Sequence, residues 1–283
     1  MSDAAPRPVH WRTVRVRADD DESRQAMVAA LFAAGAGGVH EHETTLITQV
    51  PVETDLAPVH AEAAAHAGVT VELEELGFVD WSLAWPTQVG VQRLGPITIA
   101  PPWLAGDIAG GSQVVTIDPG MAFGTGEHAT TRGVVRLLPA ILREGDSVAD
   151  LGAGSAVLAI CAAKLGAQRV FAIEMDLDAI PNAEENVARN GVSDRVVVLH
   201  GDAQALLPAV APVRVILANI ISSVLLELAP SMRRALAPDG VVVMSGVLRT
   251  ERDALLAALM DAGWRFVAED VEGDWWSGIV APV

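Results

Sequence analysis

From residue 147 onward short apolar runs alternate with longer amphipathic ones, and no other feature limits the fold as tightly. The runs 147–151, 169–174, 195–200, 214–218 and 240–245 read as strands, and 155–165, 178–190, 222–236 and 251–262 read as helices. Strands that are apolar along their whole length must be covered on both faces. Parallel neighbours also need a long crossover, which a helix supplies. The expected class is therefore α/β, with a doubly wound sheet. Pro181 falls in the first turn of its helix, where its missing N–H costs little. Asp178 is the expected N-cap. The end of the chain breaks the pattern: 264–271, a Glu-Gly-Asp turn and 276–280 read as a terminal antiparallel hairpin.

The sharpest local motif is Ala149-Asp150-Leu151-Gly152-Ala153-Gly154-Ser155-Ala156, which closes one strand and opens a helix. Ligands of such sheets bind outside the carboxyl ends of the strands. Gly152 and Gly154 let the backbone approach a ligand with no Cβ in the way. A tight strand-to-helix turn needs glycine without any ligand as well, and Ala156 stands where a third glycine would complete the pattern. Spacing strengthens the functional reading. Glu174 closes the next strand, about twenty residues on, where a carboxylate can accept hydrogen bonds from both ribose hydroxyls. NAD enzymes use the same device, so Glu174 alone does not choose the cofactor. Asp202 follows the third strand, placed either to take an adenine amino group or to stand as a solvated turn residue. Asn219 follows the fourth, either beside the reacting centre or capping the next helix.

A second motif precedes the sheet: Asp118-Pro119-Gly120-Met121-Ala122-Phe123-Gly124-Thr125-Gly126-Glu127-His128-Ala129-Thr130-Thr131. Its glycines and proline mark an irregular loop, either a lid or a static segment. Thr130 and Thr131 begin a helix running to Leu138, and their hydroxyls can cap it or contact a ligand. Phe123 offers an apolar face to a cofactor. Glu127 or His128 can draw in an ammonium or accept a proton, and loop structure explains them equally well.

Residues 1–76 read in the order strand, helix, strand, strand, helix, strand, which predicts a small ferredoxin-like α+β domain for recognition. The interval 77–115, with Trp81, Trp85, Trp103 and several prolines, reads as a connector, leaving 116–283 as the domain that carries both motifs. His40-Glu41-His42 fits an exposed strand better than a metal site, so no metal is expected. Apolar residues at 51% and charged residues at 19% supply a sizeable core and argue against disorder. A net charge of −17 argues against direct nucleic-acid binding and suits a basic partner, or simply keeps the chain soluble. Cys161 stands alone, so no internal disulfide or thiolate cage can form, and it reads as a buried packing residue. No secretory signal or membrane span is legible, so a cytoplasmic location is expected.

Asp80-Trp81 through Trp85, Pro101-Pro102-Trp103 and the 118–131 run closely resemble the ribosomal protein L-eleven methyltransferases of the PrmA type. D-L-G-A-G-S-A-V-L-A-I, A-N-I-I, L-A-P-D-G, S-G-V-L and the closing E-G-D-W-W fit that family in order, from about residue 78 to the end. A parallel sheet closed by an antiparallel hairpin is also the shape of class I methyltransferases. The resemblance implies methyl transfer from S-adenosylmethionine to lysine side-chain and α-amino nitrogens of a basic protein of the large ribosomal subunit. It implies that the N-terminal domain recognises this substrate and that the linker lets it move; a monomer is expected. By position the cofactor contacts would be Thr131, Gly152, Glu174 and Asn219, with Gly154, Phe123 and Asp202 added, and Asn219 would also orient the target amine. Glu127, Ala129, Ala153 and Ala156 depart from the family's commoner residues. The competing readings are a methyltransferase with another protein or a small amine as acceptor, an NAD-dependent oxidoreductase, and a non-catalytic binding module.

Overall fold

The computed structural model describes residues 11–36, 39–42, 44–66, 68–75, 90–106, 108, 113–119 and 124–283. The chain divides into two compact units, Met1–Ala84 and Trp85–Val283.

In the first unit β1 (Trp11–Arg17), α1 (Asp21–Ala33), β2 (His40–His42), β3 (Thr45–Pro51), α2 (Ala57–Ala65) and β4 (Thr70–Glu75) follow in order. The sheet runs β2-β3-β1-β4 and is antiparallel throughout. This is the split β-α-β interleaving that the strand and helix order implied. Val14 and Val16 pair with Thr48 and Leu46, and both valines pack with Met27, Leu31 and Val59 in one core. Asp20 starts α1 by accepting the Ser23 N–H at 2.8 Å, and that bond holds its carboxyl below the ordinary range.

The second unit opens with a small sheet of β5 (Gln92–Leu94), β6 (Ile97–Ala100) and β7 (Gln113–Thr116), with a single helical turn α3 (Pro102–Ala105) between β6 and β7. Leu94, Ile97, Ile99, Val115 and Ile117 share a core with Val134, Leu138 and Ile160. The described part of the interval expected as a connector is thus a wall of the second unit. Its strands span three or four residues, too few for a period to show in the sequence. Trp81 and Trp85 lie outside the described residues.

The main sheet takes in β8 (Ser147–Leu151), β9 (Arg169–Glu174), β10 (Val196–His200), β11 (Val213–Asn219), β12 (Leu236–Leu248), β13 (Trp264–Glu272) and β14 (Trp275–Pro282). Their order is β10-β9-β8-β11-β12-β14-β13, parallel except for the antiparallel β13–β14 hairpin laid on β12. Helices α4 (Ala129–Ile141), α5 (Val157–Lys164), α6 (Ile180–Arg189), α7 (Ala203–Val210), α8 (Ser222–Ala235) and α9 (Arg252–Asp261) complete the unit, and separate cores fill its two faces. Cys161 is fully buried in one of them. The sequence left α7 out, because it has eight residues with Pro208 among them. The expected cap of α6 moves by one residue. Its N-cap is Ala179, with no side-chain bond, while the Asp178 N–H donates to Asp176 Oδ1 as part of the preceding turn.

Helix α4 is fastened to the terminal hairpin by charge. Arg136 donates to Asp270 at 2.5 and 2.8 Å and to Glu272 at 2.7 Å, and Arg132 donates to Glu272 at 3.0 Å. Arg132 first, then Arg136, holds the Glu272 carboxyl below its ordinary range. A depressed carboxylate stabilises the fold above its unfolded pKa, and the contribution is lost as pH falls through the folded value. Arg136→Met should therefore cost about 1–3 kcal/mol in urea unfolding, between exposed and buried pairs. Its unfolding midpoint should fall less on acidification below pH ~4.5 than that of the wild type.

Candidate active site

The chain order reverses direction between β8 and β11, and the crevice at their carboxyl ends is where ligands of such sheets bind. The register fixes what stands there. Leu151 pairs with Ile173 on one side and Ala218 on the other, so the following residues Glu174, Gly152 and Asn219 form one row at the strand tips. Adjacent strands lie about 4.8 Å apart, which sets the spacing of that row.

Glu174 organises the turn. Its Oε2 accepts the Gly154 N–H at 2.8 Å, and its Oε1 accepts those of Met175 and Asp176 at 2.8 and 2.9 Å. The N–H groups of Gly152 and Ala153 both donate to the Ile173 carbonyl. Gly152 takes φ +68°, and a Cβ there would lie 2.9 Å from Ile220 Cγ2. Ala156 also adopts a left-handed φ of +64°, at a cost of about 1–2 kcal/mol. It caps α5 without a side-chain bond, and the buried Asp150 does the capping by accepting the Ala159 N–H at 3.0 Å.

Two buried polar atoms here lack a partner: Asp150 Oδ1 and Thr131 Oγ1. Each residue is 1% exposed. Buried polar groups in folded proteins are nearly always paired, so such atoms mark a place where a ligand or water completes the structure. Burial first, then the nearby Glu174, pushes the Asp150 carboxyl up to about 7, against the opposing pull of the Ala159 N–H. Asp150 belongs to the glycine motif but is not one of the residues that the spacing picks out. The signal available was a carboxylate inside an otherwise apolar strand.

The loop motif is stitched to this turn. Ser155 Oγ donates to the Gly124 carbonyl at 2.7 Å, and Gly124 takes φ +109° with no room for a Cβ beside that hydroxyl. Asn186, fully buried on α6, accepts the Asp118 N–H at 2.9 Å and donates to the Ser155 carbonyl at 3.3 Å. Asn190 brackets Thr116 in the same way. Neither role is legible from local pattern, although Asn182, Asn186 and Asn190 recur at the spacing of one helix face. Phe123 lies outside the described residues.

Other expected residues find structural partners. Asp202 caps α7 through the Ala205 N–H at 3.1 Å and is exposed. Glu127 accepts the Gly90 N–H at 2.7 Å and the Gln92 amide at 3.1 Å with both oxygens, so its carboxylate holds the start of the small sheet. His128 is the N-cap residue of α4; its Nδ1 lies 2.7 Å from Thr130 Oγ1, and its ring packs edge-on against Trp275. Burial, then Arg132, lowers its pKa. Among the described residues no group of three or more metal-ligating side chains is assembled, and no helix is long and apolar enough to cross a membrane.

Residues 20–281 match the family model described as Ribosomal protein L11 methyltransferase (PrmA). The chain belongs to this family. A ribosomal protein L11 methyltransferase of Thermus thermophilus is 36% identical over 254 residues, 90% of this chain and 93% of that one. Its counterpart in Desulforamulus reducens is 38% identical over 212 residues, 73% of this chain and 67% of that one. The crystal structure of a ribosomal protein L11 methylase from Lactobacillus delbrueckii subsp. bulgaricus superimposes with a TM-score of 0.60 at 30% identity, over 68% of this chain and 98% of that one. As a PrmA-family member the chain is a methyltransferase of the S-adenosylmethionine-dependent protein-modifying kind, and neither the oxidoreductase nor the silent-module reading is favoured.

The Asp150 carboxyl has a folded pKa raised above its ordinary 3.8, so its contribution to stability is present at low pH and is lost as pH rises toward about 7. The melting-temperature difference between wild type and Asp150→Asn should move against the wild type across that interval. A difference independent of pH would show that Asp150 is not buried in this way.

Proposed function

We propose that the second unit binds S-adenosylmethionine across the tips of β8, β9 and β11. It transfers the methyl group to lysine side-chain and α-amino nitrogens of ribosomal protein L11. The observation that carries this reading is the Thr131 hydroxyl, buried without a partner in the first turn of the helix that follows the loop motif. The remaining residues fit the same ligand. Glu174 Oε2 accepts one bond, and a carboxylate oxygen has two lone pairs, so capacity for a ribose hydroxyl remains. Gly152 and Gly154 present backbone without side chains beside it, and Asp202, exposed at the tip of the third strand, keeps one oxygen for an adenine amino group. The first unit recognises the basic substrate, with the chain's net charge of −17 favouring encounter.

S-adenosylmethionine supplies a methyl group already activated on its sulfonium, so the chain mainly has to align an in-line displacement. A free lysine amine has a pKa near ~10.4 and must lose its proton to attack. Enclosure between the loop and the strand tips disfavours the charged form. The Asn219 side-chain carbonyl accepts an amine N–H and turns the nitrogen lone pair toward the methyl group. Glu127 is not the base in this scheme, because Gly90 and Gln92 already hold its carboxylate.

Labelled S-adenosylmethionine with purified ribosomal protein L11 should place label on lysines and the α-amine, located by mass spectrometry. No label, with the cofactor still bound, would move the chemistry to another acceptor. Asn219→Ala should lose about a hundredfold in kcat, by analogy with removal of one positioning hydrogen bond. Thr131→Val should leave the unfolding free energy unchanged or raised, since it deletes an unpaired polar atom. The same variant should weaken cofactor binding roughly three- to tenfold.

A further inference from the structure

Two large apolar side chains stand exposed at the carboxyl edge of the sheet next to Asn219. Ile221, two residues beyond Asn219, is 63% exposed, and Leu248, which ends the adjacent parallel strand β12, is 40% exposed. Single exposed apolar residues need no explanation, but these two stand on neighbouring segments that one side chain joins. Glu251 accepts the Ser222 hydroxyl on Oε1 at 2.8 Å and the Leu248 N–H on Oε2 at 3.1 Å. One carboxylate therefore ties the residue after Ile221 to the backbone of Leu248. Leu248 also lies directly opposite Trp275 in the β12–β14 ladder, and the His128 ring packs edge-on against Trp275. Directly opposed residues of an antiparallel pair project to the same face. Apolar side chains thus lead from His128 at the end of the loop motif, through Trp275, to Leu248, which Glu251 joins to the segment that carries Ile221.

We infer that Ile221 and Leu248 form the rail along which the aliphatic stem of an acceptor lysine reaches Asn219, and that they set the preference for lysine over α-amino acceptors. The inference rests on the methyltransferase reading and deepens it. A lysine is amphipathic: four methylenes carry the nitrogen, and burying that stem requires an apolar wall ending at a polar group. Ile221 and Leu248 are that wall, and the Asn219 amide is its polar end. An α-amine has no such stem, so it can reach Asn219 without the rail.

The test uses the full chain, labelled S-adenosylmethionine and ribosomal protein L11, with lysine and α-amine label quantified separately by mass spectrometry. Ile221→Ser and Leu248→Ser are the variants. Ile221 is the N-cap of α8 and makes no capping bond, so serine there favours the helix and folding is not at risk. Each variant should raise KM for lysine methylation roughly tenfold, the scale of losing a methylene-sized apolar contact. α-Amine methylation and cofactor affinity should stay near wild type. Leu248→Met should restore lysine methylation, because it keeps apolar volume. Met260→Ser, which truncates an equally exposed side chain on α9, should change neither acceptor. An equal fall for both acceptors, or no fall for either, overturns the rail while leaving the methyltransferase reading intact. If the wild type labels neither acceptor, the L11 reading fails and the rail falls with it.

Discussion

The bond from the Gly154 N–H to the Glu174 carboxylate is the joint on which the second unit's site depends. It ties the turn after β8 to the tip of β9. The Gly152 and Ala153 N–H groups, donating to Ile173 one residue earlier, lock the same turn against the same strand. The parallel register then aligns Glu174, Gly152 and Asn219 in a single row with no further device. A carboxylate serves here because it has several acceptor positions: three backbone donors can be satisfied while capacity remains for a ligand hydroxyl. The acidic strand tip is therefore structural, with acceptor capacity left for the ligand proposed above.

Around that joint the chain uses buried amides and hydroxyls to fix the described residues of the loop motif. Asn186 bonds the beginning of the loop motif and the glycine turn from one side chain, and Ser155 bonds its middle. Glu127, at its end, holds Gly90 and Gln92, while Arg132 takes the Glu127 carbonyl and reaches the hairpin through Glu272. The small sheet, the loop, α4 and the hairpin are thus linked by hydrogen bonds that local propensity does not specify. Such networks are cooperative when complete and expensive when one member is missing.

The main sheet was legible because its strands are apolar runs of five or more residues separated by helices of ordinary length. The place of Gly152, Gly154 and Glu174 at the strand tips was legible because the apolar runs end there. The β5-β6-β7 wall was not, since three- and four-residue strands carry no readable period. Asp202 shows the limit of position as a guide: the strand tip allowed either an adenine contact or a solvated turn residue, and the structure has the side chain capping α7. Asp150 and Asn186 escaped for a different reason. Their importance lies in contacts made across the fold, from β8 to the first turn of α5 and from α6 to the loop, and sequence spacing does not carry those contacts.

The most direct test of the account is a crystal structure with S-adenosylhomocysteine bound. The account predicts the ribose hydroxyls on Glu174, the ligand lying over Gly152 and Gly154, and partners for the Thr131 hydroxyl and Asp150 Oδ1 supplied by the ligand or by water it orders. A ligand seated elsewhere, or one that leaves Thr131 Oγ1 still unpaired and Glu174 untouched, would contradict it.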